Sequence, residues 1–260
     1  MRKPKVLLIY GSEGADIIEG SDADENIYAY GGDDIVYGGG GSDYIQGGAG
    51  DDQLYGGDGD DRVYGDAGTN KVFGGAGNDH VGGGDGNDQV YGDEGNDRVI
   101  GHTGNDELYG GAGEDILIGE WGADLLWGGT GADVFQYGWG FDSTTRTSGW
   151  GPWENDPDMT WGPDTIMDFE SGIDRIDLSR IDADLTTAVL PPKGKSGAPT
   201  GNEAFTVVDA PVSGEPGPGQ LTLTYDAFGG TTIQGYMDAQ AGADFTLYVA
   251  TYVAPTDFIL

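Results

Sequence analysis

The sequence predicts an all-β solenoid, a parallel stack of short strands wound with two nine-residue repeats per coil. Three observations predict it: a nine-residue period that runs without a gap from Gly11 to Gln136, glycines at set places in each period, and one apolar residue and one acidic residue recurring at constant spacing. A fixed period of this kind marks a repeat architecture, in which each unit buries its apolar face only by stacking on its neighbours.

Read from Gly47, the pattern G-G-x-G-x-D-x-U-x, with U apolar, fits GGAGDDQLY, GGDGDDRVY, GDAGTNKVF, GGAGNDHVG, GGDGNDQVY and GDEGNDRVI in succession. It continues to GGTGADVFQ and runs backwards to GSEGADIIE, giving fourteen repeats. Glycines at positions one, two and four permit positive φ and close approach of the chain, as a tight turn requires. The last three residues read as a short strand whose alternation turns U inward. The expected core column is Ile18, Ile27, Val36, Ile45, Leu54, Val63, Val72, Val81, Val90, Val99, Leu108, Leu117, Leu126 and Phe135. One aliphatic side chain per nine residues is a thin core, too little to offset the entropy of ordering the backbone around it.

Position six supplies the missing interaction. Asp16, Asp34, Asp43, Asp52, Asp61, Asp79, Asp88, Asp97, Asp106, Asp115, Asp124 and Asp133 recur there, interrupted by Glu25 and Asn70. Turns on one edge lie 18 residues apart in sequence and stack at roughly 4.8 Å in space. Carboxylates at that separation repel unless a hard cation sits between them, bound also by carbonyls of the glycine-rich turn, which is the oxygen chemistry of calcium. Pairing each turn with the one two repeats later gives up to twelve sites, from Asp16 with Asp34 to Asp115 with Asp133. Asn70 weakens the pairs with Asp52 and Asp88, Glu25 weakens the pair with Asp43, and Ala23 departs from the turn glycine.

Composition sets further bounds. With 46 Asp and Glu against 11 Lys and Arg, the formal net charge of -35 excludes nucleic acid as a partner. The absence of cysteine removes disulfides and thiolate metal sites. Met1 to Tyr10 carries Arg2, Lys3 and Lys5 before five apolar residues, too few for a signal-peptide core. No stretch approaches the roughly 20 apolar residues of a membrane helix.

These repeats closely resemble the repeats-in-toxin (RTX) family. The resemblance implies a parallel β-roll, here of about seven coils, with calcium ions between stacked turns on both edges. It extends past the repeats: PDTIMDFESGIDRIDLS from Pro163, GQLTLTYD from Gly219 and ADFTLYVA from Ala243 resemble the C-terminal region of serralysin-type secreted proteins. The final Asp257, Phe258, Ile259 and Leu260 resemble that family's terminal motif. In such proteins the C-terminus is an uncleaved type I secretion signal, which implies a secreted, extracellular protein whose partners are calcium and the type I secretion apparatus. The implied organisation is an N-terminal cap strand (1–10), the β-roll (11–136) and a β-rich C-terminal cap (137–260). Within the cap lie a Trp-rich insert (137–163) and the terminal signal (about 245–260).

A protease is not implied. The H-E-x-x-H zinc helix of serralysins is absent, and His80 and His102 fall at repeat positions seven and two, where they read as exposed strand or loop residues. Acid pairs such as Asp33 and Asp34 or Asp51 and Asp52 recur at the repeat period, so they belong to the turns and not to a glycosidase. Tyr37, Tyr55, Phe73, Tyr91, Tyr109 and Trp127 occupy position nine in alternate repeats, predicting an outward aromatic ladder that either braces the strands or offers a sugar-binding or self-association surface. Ile17, Ile35, Ile116, Leu125 and Val134 at position seven call for covers at the two ends, supplied by Val6 to Tyr10 and by the chain after Tyr137. In the C-terminal region the density of Trp139, Trp150, Trp153 and Trp161 reads as either a partner surface or a local cap core, Pro191 to Asn202 reads as a mobile loop, and strands are expected over 204–208, 220–225 and 231–236. The expected function is that of a secreted, non-enzymatic calcium-binding protein that folds on binding extracellular calcium, with a structural or calcium-triggered assembly role at the cell surface or in the matrix; the alternative is a carbohydrate-binding or accessory module of the kind attached to secreted polysaccharide-modifying enzymes or lipases.

Overall fold

Period-two burial along each repeat strand winds the chain into a roll. In Gln53–Asp58 the side chains run exposed, buried, half-buried, buried, half-buried, exposed, so Leu54 and Gly56 face inward. The computed structural model describes residues 6–137, 164–179, 206–209, 220–236 and 245–260. Most repeat strands are six residues long, such as Arg62–Ala67 and Lys71–Ala76, twice the expected three. The extra length arises because only positions four to six leave the ladder, while positions one to three of the next repeat go on pairing across a residue of positive φ at position two, such as Gly57 (φ 114) or Asp66 (φ 69).

Strands 18 residues apart pair in parallel, as Leu54 with Val72 and Val72 with Val90. Among the described residues they form two sheets of ten and twelve strands that wrap one interior. Every residue of the expected core column is fully buried apart from Ile18, at 7% exposure. That column runs on without a break into Phe169, Ile176, Leu178, Leu221, Ile233 and Leu247.

The strands after the repeats prolong both sheets. Thr165–Ile166 pairs in parallel with Leu125–Thr130, and Arg175–Asp177 with Val134–Gln136. Phe245–Val249 adds next to Thr165–Ile166 and begins an antiparallel meander through Thr231–Tyr236 and Gln220–Tyr225. Phe258–Ile259 closes the ten-stranded sheet by pairing with Arg175–Asp177. Just before it, the carboxylate of Asp257 is buried and accepts hydrogen bonds from Ser171 Oγ (2.6 Å), Gly172 N (3.1 Å) and Ala254 N (2.8 Å).

At the other end, Leu7–Tyr10 pairs in parallel with Glu25–Gly31. It adds a strand and leaves Leu8 and Ile17 at 58% and 72% exposure. The Trp-rich insert and the segment Pro191 to Asn202 lie outside the described residues. Among the described residues no helix is long and apolar enough to cross a membrane.

Candidate metal centre

The turns bring the position-six residues into two columns, one on each edge of the roll. In each, a side-chain Oδ1 accepts a hydrogen bond from the backbone N–H of its counterpart 18 residues earlier: Asp16 N to Asp34 (2.7 Å), Asp34 N to Asp52 (2.8 Å), Asp88 N to Asp106 (2.8 Å) and Asp106 N to Asp124 (2.8 Å) on one edge. On the other edge the links are Glu25 N to Asp43 (2.8 Å), then Asp43 to Asp61, Asp61 to Asp79 and Asp79 to Asp97 (2.7 Å each), Asp97 to Asp115 (2.8 Å) and Asp115 to Asp133 (3.0 Å). Each acidic side chain therefore reaches back to complete the turn before it.

The second oxygen is the chemically decisive atom. Oδ2 of Asp34, Asp43, Asp52, Asp61, Asp79, Asp88, Asp97, Asp106, Asp115 and Asp124 is buried and has no hydrogen-bond donor. A buried, uncompensated carboxylate oxygen is strongly unfavourable. Another acceptor flanks the same space: a methyl group built on Gly74 would lie 2.5 Å from Asp79 Oδ2 and 2.6 Å from the carbonyl oxygen of Gly92. Gly110 stands in the same relation to Asp115 Oδ2 and the Gly128 carbonyl, at 2.6 and 2.5 Å. At these turns the position-one glycine keeps an oxygen-lined cradle clear, although one repeat carries Ala29 there; its φ is not positive, unlike that of position-four glycines such as Gly59 (φ 132). Oxygen acceptors with no donor among them fit a hard cation such as calcium.

Burial and neighbouring negative charge act on these groups together. Burial pushes the carboxyls of Asp43 and Asp79 up to about 7, and those of Asp52 and Asp61 to about 6. Asp106 reaches about 9, through burial first and the charge of Asp124 second. In the folded chain without a counter-ion the ionised form is disfavoured.

Not every turn has this character. Asp16 Oδ2 accepts from Ser12 N (2.6 Å) and Ser12 Oγ (2.8 Å), and Glu25 is hydrogen-bonded by Ser21 Oγ and by Ser21 N (3.3 Å). Among the described residues no group of three or more His, Asp and Glu side chains gathers to hold a metal.

Three features escaped the period. The columns continue into Asp164, which accepts from Asp124 N (3.0 Å), and Asp174, which accepts from Asp133 N (3.1 Å). Both sit in the triplets Asp164-Thr165-Ile166 and Asp174-Arg175-Ile176, the same acid-x-apolar unit as in the repeats. Position five forms a second, exposed ladder pointing the opposite way along the axis: Asp33 accepts from Asp51 N, Asp51 from Thr69 N, and Asn78 from Asn96 N, at 2.8 to 3.0 Å. This occupies the first member of the acid pairs. The ten-stranded sheet carries its own aromatic series, Tyr28, Tyr44, Tyr64 and His80, which zigzags between positions nine and seven with centroids 5.7 to 5.8 Å apart.

Both histidines lie in strands and are half-buried, not exposed. Burial, then the charges of Arg98 and Arg62, lowers the His80 ring below its ordinary value. His102, held at φ 82, places Nδ1 2.9 Å from Glu120 Oε2, and that hydrogen bond raises it. On the twelve-stranded sheet the aromatic ladder forms with centroids at 5.0, 4.8, 4.7, 4.6 and 4.5 Å and interplanar angles of 3 to 11°.

The match to a family model agrees with this repeat architecture. The family model for the RTX calcium-binding nonapeptide repeat matches residues 10–45, 37–72, 55–90, 64–99, 91–126, 100–135 and 122–143. No curated protein matches the chain. Among solved structures it is similar to two subunits of the mannuronan C5-epimerase of Azotobacter vinelandii, each at 22% identity. One, AlgE6R3, matches over 73% of this chain and 78% of its own with a TM-score of 0.33; the other, AlgE6R2, over 69% and 91% with a TM-score of 0.44. It is also similar to the extracellular lipase LipA of Serratia marcescens, at 15% identity over 100% of this chain and 40% of that one, with a TM-score of 0.23.

Proposed function

This chain belongs to the RTX calcium-binding nonapeptide-repeat family, and we propose that it is a secreted, non-enzymatic protein whose roll assembles on binding extracellular calcium. Its role in this reading is structural, or calcium-triggered assembly at the cell surface or in the matrix. One observation carries the proposal: two axial columns of buried carboxylate oxygens without donors, running from Asp34 to Asp124. Asp34, Asp43, Asp52, Asp61, Asp79, Asp88, Asp97, Asp106, Asp115 and Asp124 would hold the ions together with glycine carbonyls such as those of Gly92 and Gly128. Asp16 would head one column, Asp133 would stand in the other just before Asp174, and Glu25 and Asn70 would contribute less. Calcium, when bound, supplies the positive charge that these oxygens lack.

Where calcium is scarce, -35 charges and a thin core favour an open chain, a form suited to a type I exporter. Outside, ligation and folding become one event. Each coil templates the next, so weak extracellular sites with dissociation constants of roughly 10⁻⁴–10⁻³ M can act sharply together.

The aromatic ladder supports bracing over a polysaccharide platform. An inner ring such as Tyr91, stacked at 4.7 and 4.6 Å on both sides, has neither face left for a sugar.

The test is a calcium titration of chelator-treated protein, followed by far-UV circular dichroism and light scattering. A cooperative gain of β signal with compaction is expected, and growth beyond a monomer at higher calcium would favour assembly. A chain fully folded in chelator and indifferent to calcium would refute the proposal.

A further inference from the structure

One member of the column that starts at Asp16 is neutral. Asn70 is fully buried and keeps both backbone links of an aspartate: its Oδ1 accepts from Asp52 N at 3.0 Å, and its N–H donates to Asp88 Oδ1 at 2.7 Å. The difference lies at the other side-chain atom. Where Asp52 and Asp88 present a buried oxygen without a donor, Asn70 presents Nδ2, which donates to the carbonyl oxygen of Gly83 at 3.5 Å. Gly83 is the counterpart of Gly92 beside Asp79, thirteen residues on, so its carbonyl belongs to the cradle. A methyl built on Gly65 would lie 2.6 Å from Asn70 Nδ2, the place an Oδ2 holds in neighbouring turns.

Two oxygen acceptors that face each other need something positive between them, and an N–H serves as well as a metal ion. The head of each column meets the same need with Ser12 and Ser21. Asn70 brings that device into the middle of the roll.

We propose that the amide of Asn70 is a built-in substitute for a cation, so that the turn it shares with Asp88 closes without calcium while the turns around it require the ion. This rests on reading the aspartate columns as calcium sites. The roll would then carry one permanently closed joint on a single edge, flanked by Asp34 and Asp52 before it and by Asp106 and Asp124 after it. The facing edge, with Asp61 and Asp79, has no such joint.

The full chain is compared with Asn70→Asp, Asn70→Ala and Asp79→Asn. Bound calcium is counted by equilibrium dialysis at saturation, and heat stability is read in the same buffer. Asn70→Asp is expected to gain about one ion per chain, since it restores a carboxylate to an oxygen cradle. Asn70→Ala is expected to gain none and to melt lower, and Asp79→Asn to lose about one ion while still folding. An unchanged count in a folded Asn70→Asp chain, or an Asn70→Ala chain as heat-stable as the parent, overturns the proposal. A parent chain that binds no calcium at all overturns instead the reading of the columns on which it rests.

Discussion

The aliphatic column at position eight and the aspartate columns at position six are buried alike, yet they are held in opposite ways. Leu54, Val72 and Val90 pack on one another and need nothing further, whereas Asp43, Asp61 and Asp79 each keep an oxygen without a donor. The first column supplies cohesion under any condition. The second makes that cohesion conditional, because its cost is removed only by a positive partner. On the proposed reading a roll with so thin a core sits close to the balance point, and the aspartate columns tip it.

Four perturbations separate the two kinds of column, the largest effect coming first. In calcium-free buffer, acidification should promote the fold. The folded-state values of Asp43, Asp52, Asp61, Asp79 and Asp115 are raised to about 6 or 7, above the unfolded value near 4. Protonation between those values therefore favours the folded chain, and the gain is lost as pH rises through about 7. With calcium present the sign reverses, because protons compete for the same oxygens. Circular dichroism from pH 7.5 to 4.5, with and without chelator, reads both directions.

Leu108→Ala removes a fully buried side chain and should cost about 2–5 kcal/mol in denaturant melts at saturating calcium. The loss should grow no smaller as calcium is raised further. Asp106→Ala strips the donor at Asp88 N of its acceptor and should cost about 1–3 kcal/mol at saturating calcium. In chelator the same variant should be neutral or stabilising, since it deletes a buried carboxyl whose ionisation the folded chain disfavours; equal losses in both buffers would dissolve the distinction between the columns. Phe73→Ala interrupts two stacked contacts on the outer face and should cost about 0.5–1.5 kcal/mol per contact, with no change in the calcium count.

Much of this was legible because a nine-residue period constrains every coil equally. The inward column, the alternating edges and the ladder from Tyr37 to Trp127 all follow from position within the repeat. Strand length was less legible, since Gly56, Gly57 and Asp58 carry the composition of a turn although Gly57 and Asp58 pair with Gly75 and Ala76 in the ladder. Asp164 and Asp174 were hidden by the insert that separates them from Asp124 and Asp133. Only a three-residue unit survives there, and it is too short to stand out without the stacked neighbour above it. The zigzag from Tyr28 to His80 was missed for a different reason. It crosses between positions seven and nine, so neither position viewed alone shows a series.

The backward reach of each carboxylate, 18 residues to the turn before it, has a consequence for how such a chain can change in length. A deletion or duplication of 18 residues inside the roll leaves Asp164 beneath the same column and the ladder on the same sheet. A change of nine exchanges the two edges for everything downstream, moving the rings into the sheet of the tyrosine zigzag and offering Asp164 to the column that Asp174 now completes. Growth and shortening are thus quantised in whole coils, with half a coil as the forbidden step.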